Sequence, residues 1–575
     1  MSRITELASP LMPHLMLAPI ALPMTTAAVM LLLREEQQRL KLTLNIVSTL
    51  LGLLLSIALL AWAHHAGHTA TLGVYLPSNW PAPFGIVLAL DRLSAMMLVL
   101  TGIIGLCAIV FASARWHRAG VHFHPLFQFQ LMGLGGAFLT ADLFNLFVFF
   151  EIMLAASYGL LLHGSGRLRI HAGLHYIAIN LAASSLFLIG ASMLYGITGT
   201  LNMADLAQSV TQVSDHDRGL LHAAAAILAT AFLIKAAVWP LNFWLVPAYS
   251  AATAPVGALF AIMTKVGLYT LLRLWTLLFG NDAGASAFFG NQWLLAGGML
   301  TMTFAAIGML GTQRLPRMAG YAAILSSGTL LAATGIGHDG QPNHQLTAGL
   351  LYYLPSSTLA VSALFLLADL ISRWRKDGNS INDDDDAPFL TPDLADMGPD
   401  ERINLDDDET ILVGRAIPAA AAFLGLSFLA CTLVITGMPP LSGFIGKFAM
   451  LTALLNPLGL GASASAPPDA WGWGLLALMV GSGLLALLAL TRVGVRCFWS
   501  SHQREAPRLG VMEGLPIALL LGTCAAFTVY AEDILRFTQA AADDLHTPAN
   551  YVRAIMQAAP HPSPEEIQRF PTAAP

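Results

Sequence analysis

The chain has 575 residues, 56% hydrophobic and 11% charged, with a net charge of −6. A mean hydropathy of +0.66 excludes a soluble globular domain and describes an all-α polytopic membrane protein, with no nucleic-acid partner implied. Its four cysteines, Cys107, Cys431, Cys497 and Cys524, lack CxxC spacing and stand apart from histidine, so no disulfide framework, iron–sulfur cofactor or zinc site is expected.

A span of the hydrocarbon core needs about 20 mostly apolar residues. Fourteen such runs follow one another: about 15–33, 42–63, 85–114, 124–141, 143–163, 171–197, 219–240, 254–279, 292–312, 317–337, 345–372, 415–451, 472–493 and 511–535. The first has Arg3 before it and Arg34, Arg39 and Lys41 after it, without a small-residue cleavage pattern, and reads as a retained helix. With fourteen spans, eighteen basic residues fall in joints on one side and five on the other. The positive-inside rule then puts both termini in the periplasm of a bacterial inner membrane.

Five basic residues lie inside runs: Arg92, Lys235, Lys265, Arg273 and Lys447. Arg92 and Arg273 are near span ends, where a long side chain snorkels to the interface, and Asp91 is expected to pair with its neighbour Arg92. The three lysines are about halfway along their runs, as is one acid, Glu151 in LFNLFVFFEIMLAASYGLLLH. Each buried charge costs about 2.5–3.5 kcal/mol on insertion scales, and such residues mark ion or proton pathways by default. An ammonium taken out of water releases its proton more readily, and a nearby carboxylate restores its affinity, so a Lys–Glu pair of variable separation is a proton switch.

Two of these lysines accompany helix-breaking sequence. In AFLIKAAVWPLNFW, Pro240 is expected to free the carbonyl of Ala236 beside Lys235. In TGMPPLSGFIGKF, Pro439 and Pro440 are expected to free those of Ile435 and Thr436 ahead of Lys447. Unwound backbone at membrane depth is tolerated where protein or water satisfies it, and discontinuous helices bearing charges mark ion-handling sites in transporters. Between the eleventh and twelfth runs, Asp377 to Glu409 holds thirteen acidic residues against one basic, which reads as a solvated loop. The 17 histidines gather in loops and span ends. Of these, His163 and His175 are placed to extend a path from Glu151.

FNLFVFFE, FLIKAAVWPLNFWLVPAYSAATAPVGALFAIMTKVGLYTLLRL and GMPPLSGFIGKF resemble the antiporter-like subunits shared by Mrp (or Pha) multisubunit cation/proton antiporters and respiratory complex I. The likeness runs from about Asp91 to Arg496 and is nearest to the D-type component of the antiporters. It implies two inverted five-helix repeats, helices 4–8 and 9–13, with helices 7 and 12 broken. The chain then divides into 1–120 (helices 1–3), 121–280 (first repeat), 281–500 (second repeat, with an acidic cytoplasmic loop at 374–414) and 501–575 (helix 14 and a periplasmic tail). It also implies that Glu151 modulates Lys235, that Lys265 belongs to a central polar axis, that Lys447 stands near the exit, and that Asp142 is the acidic residue before helix 5. LYYLPSSTLAVSALFLLADLI looks like the Pha-type eleventh helix and departs from complex I. Tyr353, Ser357 and Val361 replace its titratable groups, so waters held by Tyr353, Ser356, Ser357, Ser326 and Ser327 are expected to join Lys265 to Lys447. The function implied is a proton-translocating subunit of a K+ or Na+/H+ antiporter, working with other membrane subunits. The alternative is a proton-pumping subunit of a complex I-like or membrane hydrogenase enzyme, and a stand-alone permease is a third reading.

Overall fold

The computed structural model describes residues 12–65, 73–118, 120, 122–164, 166–338, 341–377, 418–456, 468–498 and 509–560. Every expected run contains a helix. These are α1 (Ala18–Leu32), α2 (Gln38–His65), α3 (Arg92–Ala114), α4 (Phe123–Leu139), α5 (Leu143–Leu162), α6 (Arg167–Thr198), α7 (Arg218–Lys235 and Leu245–Ala251), α8 (Ala254–Leu278), α9 (Asn291–Gly311), α10 (Leu315–Thr334), α11 (His344–Asp377), α12 (Ala419–Thr436 and Ser442–Leu455), α13 (Ala470–Phe498) and α14 (Val511–Val529). Eleven segments are long and apolar enough to cross a membrane by themselves; α1, α4 and α10 are shorter or more polar. The acidic segment lies outside the described residues from 378 onward.

Burial sorts the helices. The most apolar window of α8 is buried throughout and that of α11 nearly so, whereas most of α2 and α14 faces outward. Two helices that are apolar all round and enclosed by others form the middle of the molecule, and a polar group on either is shielded from lipid.

Local chemistry moves two boundaries and adds a short helix. Hydropathy starts the third run at about residue 85, but α3 starts at Arg92 because Asp91 and Ser94 form a capping box, and Leu88–Leu90 pairs instead with Gly73–Tyr75 as a two-stranded antiparallel sheet. The fourteenth run stops at Val529, and the following Ala531–Leu545 is amphipathic, with Glu532 and Asp533 in its first turn. A further amphipathic helix, Met203–Gln212, is capped by Asn202, whose side chain accepts from the N–H groups of Ala204 and Asp205.

The expected snorkelling of Arg92 and Arg273 is not what the structure has. Arg273 forms a two-pronged ion pair with Asp91, at 2.5 and 2.8 Å. Arg92 reaches Asp544 at 2.5 Å, on the Ala531–Leu545 helix. Both arginines are buried, at 6% and 7% exposure. The amphipathic helix covers the ends of α3 and α8 and supplies a carboxylate 452 residues away in sequence, so Asp91 and Arg92 each pair elsewhere, not with one another.

Candidate functional site

Among the described residues, α7 and α12 are the two interrupted spans, as expected. Neither is a simple proline kink. The first half of α7 ends at Lys235, and Ala237 takes up the left-handed conformation at φ 55°. The N–H of Val238 donates to Leu233 O and that of Ala237 to Ile234 O, both at 3.0 Å, which is a Schellman ending. Pro240 lies beyond this turn, so the helix has already closed before it and the break does not rest on the proline. In α12, Gly437 has φ 77°, and the N–H groups of Gly437 and Met438 both donate to Leu433 O.

Lys447, on the second half of α12, donates from Nζ to Thr436 O at 2.9 Å and to Ile435 O at 3.4 Å. These are the two carbonyls assigned to Pro439 and Pro440. An ammonium here satisfies orphan acceptors and meets the negative end of the helix dipole. The fit depends on glycine: a Cβ on Gly437 would lie 2.4 Å from Lys447 Cδ, and one on Gly483 of α13 would lie 2.8 Å from Thr436 O.

Lys235 is also at a helix end and 6% exposed, but its Nζ makes no protein hydrogen bond among the described residues. It lies 5.9 Å from the Phe150 ring centre, next in sequence to Glu151. Glu151 is half-buried and accepts a short hydrogen bond from Ser184 of α6. The two charges are therefore adjacent without direct contact. Helix α8 crosses the end of this half-helix at Gly267, where a Cβ would sit 3.2 Å from Lys235 Cβ and 2.7 Å from Phe232 O. Lys265 lies two residues earlier on α8, about 200° round the helix from this crossing.

Lys265 is 1% exposed and donates to Ser327 Oγ of α10 at 3.4 Å. The neighbouring Ser326 meets Ser357 of α11 at 2.8 Å. Around the Tyr353 hydroxyl stand Thr329, Ser326 and Ser357, while its ring lies 5.9 Å from Lys447 Nζ. Ser356 bonds Ser442, the first residue of the second half of α12, at 2.7 Å. Hydroxyls of three helices thus stand between Lys265 and Lys447 as separate hydrogen-bonded pairs. Hydroxyls both donate and accept, so such a line passes protons without holding a net charge.

The NADH:quinone oxidoreductase/Mrp antiporter, TM family model matches residues 140–385. The chain is 50% identical over 549 residues to the D-type component of a probable K(+)/H(+) antiporter from Rhizobium meliloti, covering 95% of this chain and 98% of that one. This chain belongs to the Mrp/Pha family of D-type antiporter subunits. A second member, the D-type component of a Na(+)/H(+) antiporter from Alkalihalophilus pseudofirmus, is 31% identical, covering 95% of this chain and all of the relative. A chain of the solved Mrp complex from Dietzia sp. DQ12-45-1b has the same fold, with a TM-score of 0.76 at 24% identity over 95% of this chain and 99% of that one.

Asp142 stands immediately before α5, as expected, and caps it through the Asn145 N–H at 2.9 Å, nine residues and about 13 Å along the axis from Glu151. Two expectations for this D-type protein change. His163 is tied to Trp116 O at 2.9 Å and packs with its ring tilted against Phe123, and His175 is exposed on α6, so neither is aimed at Glu151. Ser184 and Thr329 were missed. The signal for Ser184 was a polar stripe, Tyr176, Asn180 and Ser184, at helical spacing in an apolar run.

Proposed function

We propose that this D-type subunit carries protons through the membrane part of a multisubunit K+/H+ antiporter, along Glu151, Lys235, Lys265, the Ser326–Ser327–Tyr353–Ser357 hydroxyls and Lys447. The observation that carries the reading is the line of polar groups from Lys265 to Lys447 between the two enclosed helices. Packing alone has no need of three lysines there, since buried charges are weak evidence of stabilisation. Potassium is assigned from the Rhizobium meliloti relative's name. The protein itself acts as a transporter component and not as an enzyme, in a bacterial inner membrane, with both termini periplasmic by the charge sorting. A proton moving down the gradient supplies about 2.3 kcal/mol per 100 mV, which the complex spends on cation expulsion.

The test uses everted vesicles containing the whole complex, with a respiration-generated pH gradient followed by fluorescence. Added K+ is expected to dissipate the gradient, and Lys235→Ala is expected to abolish that response while the complex still assembles. A gradient unmoved by either K+ or Na+, or a full response in Lys235→Ala, overturns the proposal.

A further inference from the structure

Glu151 needs a route by which protons reach or leave it, and its expected extensions, His163 and His175, point elsewhere. The α5–α6 contact offers another. On α6, Tyr176, Asn180 and Ser184 recur every fourth residue, and all three are buried. That spacing places them in one row about 12 Å long. Its upper end is Ser184, bonded to Glu151. At its lower end, the Tyr176 hydroxyl bonds Ser157 Oγ of α5 at 2.8 Å.

On α5, Tyr158 stands seven residues after Glu151, two turns along the same face. Its ring meets that of Tyr176 edge-on, with centres 5.5 Å apart. Its hydroxyl is buried, has no protein partner among the described residues, and lies within electrostatic reach of the Glu151 carboxylate. A buried phenol without a partner at a polar seam is a place for a bridging water, which needs two to four polar neighbours. The Tyr176–Ser157 pair provides two of them. The row descends toward the joint carrying Arg167 and Arg169, the side with the larger share of basic residues.

We infer that the α5–α6 seam is the proton path between Glu151 and the basic-loop side, with Tyr158 as its relay and the Tyr176–Ser157 pair and Asn180 lining it. In one passage the Tyr158 oxygen gains the proton that Glu151 releases as its own proton leaves to water on the basic-loop side. One O–H bond forms as another breaks, the phenol ends neutral, and the Glu151 carboxyl ends deprotonated. The inference rests on the proton-path reading above.

The experiment is the vesicle assay with the intact complex and K+ as the added cation, run in water and in deuterium oxide. Tyr158→Phe keeps the ring and removes the hydroxyl, and is expected to slow transport about ten-fold. The half-saturating K+ concentration stays unchanged and the deuterium isotope effect rises, because proton transfer through the seam becomes the slow step. Tyr176→Phe combined with Ser157→Ala is expected to act in the same direction, and it decides the matter if Tyr158→Phe fails to assemble. His175→Gln is expected to keep the full rate, and its loss would move access to the exposed face of α6. Full rate and an ordinary isotope effect in both seam variants overturn the inference. Lys235→Ala in the same preparation separates the two failures: if it is inactive while the seam variants are normal, only the seam is wrong, and if it is active the proton path itself is wrong.

Discussion

In α7 the lysine is the last residue of the half-helix it belongs to, whereas in α12 it comes from beyond the break and reaches back. The difference follows from the side of the break on which each lysine stands, because a helical side chain tilts toward the N-terminus of its own helix. After Lys235, the turn uses Leu233 O and Ile234 O for backbone N–H groups, and Trp244 Nε1 adds a bond to Ile234 O at 3.2 Å. The carbonyls of Lys235 and Ala236 accept no backbone N–H among the described residues, but the Lys235 side chain tilts back toward the start of its own half-helix and away from them. After Thr436, both turn N–H groups converge on Leu433 O, which leaves Ile435 and Thr436 for Lys447. One ammonium is therefore fixed by two charge-assisted hydrogen bonds, each worth about 1.5–3 kcal/mol. The other is held only by burial and the field of its surroundings, and it is the one beside a carboxylate. A titrating switch needs the second arrangement, and a defined terminus of a path needs the first.

The largest effect is expected where the fixed lysine is removed. Lys447→Met leaves two buried carbonyls unpaired and cuts cation-driven proton movement in vesicles more than about 100-fold. It also lowers the thermal unfolding midpoint of the purified complex, whereas Lys235→Met abolishes movement with little change in that midpoint. Equal destabilisation by the two would erase the distinction between the breaks.

Gly437→Ala is expected to come next, because it forces a side chain to φ 77° and into Lys447 Cδ. The left-handed conformation alone costs about 1–2 kcal/mol, and displacement of the ammonium lowers the transport rate about ten-fold.

The α12 side is also clamped at the start of α11, where His546 Nε2 meets Thr347 at 2.9 Å and His344 pairs with Asp543. Burial, with His344 nearby, pushes the His546 imidazole down to about 4 against the opposing pull of Asp543. A group that binds protons more weakly folded than unfolded stabilises fully above its unfolded value of about 6.5 and loses that contribution as pH falls toward 4. By pH 5 the loss is about 2 kcal/mol. Amide hydrogen exchange over 531–556 is expected to accelerate between pH 7 and pH 5 after correction for intrinsic rates, and His546→Gln is expected to flatten that dependence.

The smallest effect belongs to the other break. Ala237 already occupies φ 55°, so Ala237→Gly relieves strain and raises the unfolding midpoint by up to about 1 kcal/mol equivalent. A fall in the midpoint would show that the Ala237 methyl contributes packing there that outweighs its backbone strain.

Much of this is readable from the residues alone, because the bilayer makes composition geometric. A run of about 20 apolar residues has one cheap conformation in lipid, so the fourteen helices follow from hydropathy. A lysine in the middle of such a run announces itself wherever it ends up. Lys235, Lys265, Lys447 and Glu151 are therefore visible as a set, and so are the hydroxyls of Ser326, Ser327, Tyr353 and Ser357. Less visible are the causes of the breaks, since Pro240 draws attention away from Ala237, whose left-handed turn closes the helix first.

By itself, then, the sequence determined which residues are buried charges, which spans are interrupted and which helices carry polar groups. Only the tertiary structure decided their partners: Ser184 for Glu151, two carbonyls for Lys447, Asp544 for Arg92 and Arg273 for Asp91. The reason is one of range. Insertion into lipid is settled segment by segment from composition, but a hydrogen bond between helices depends on their rotation and register to a fraction of an ångström, and these are set by the packing of many neighbours at once.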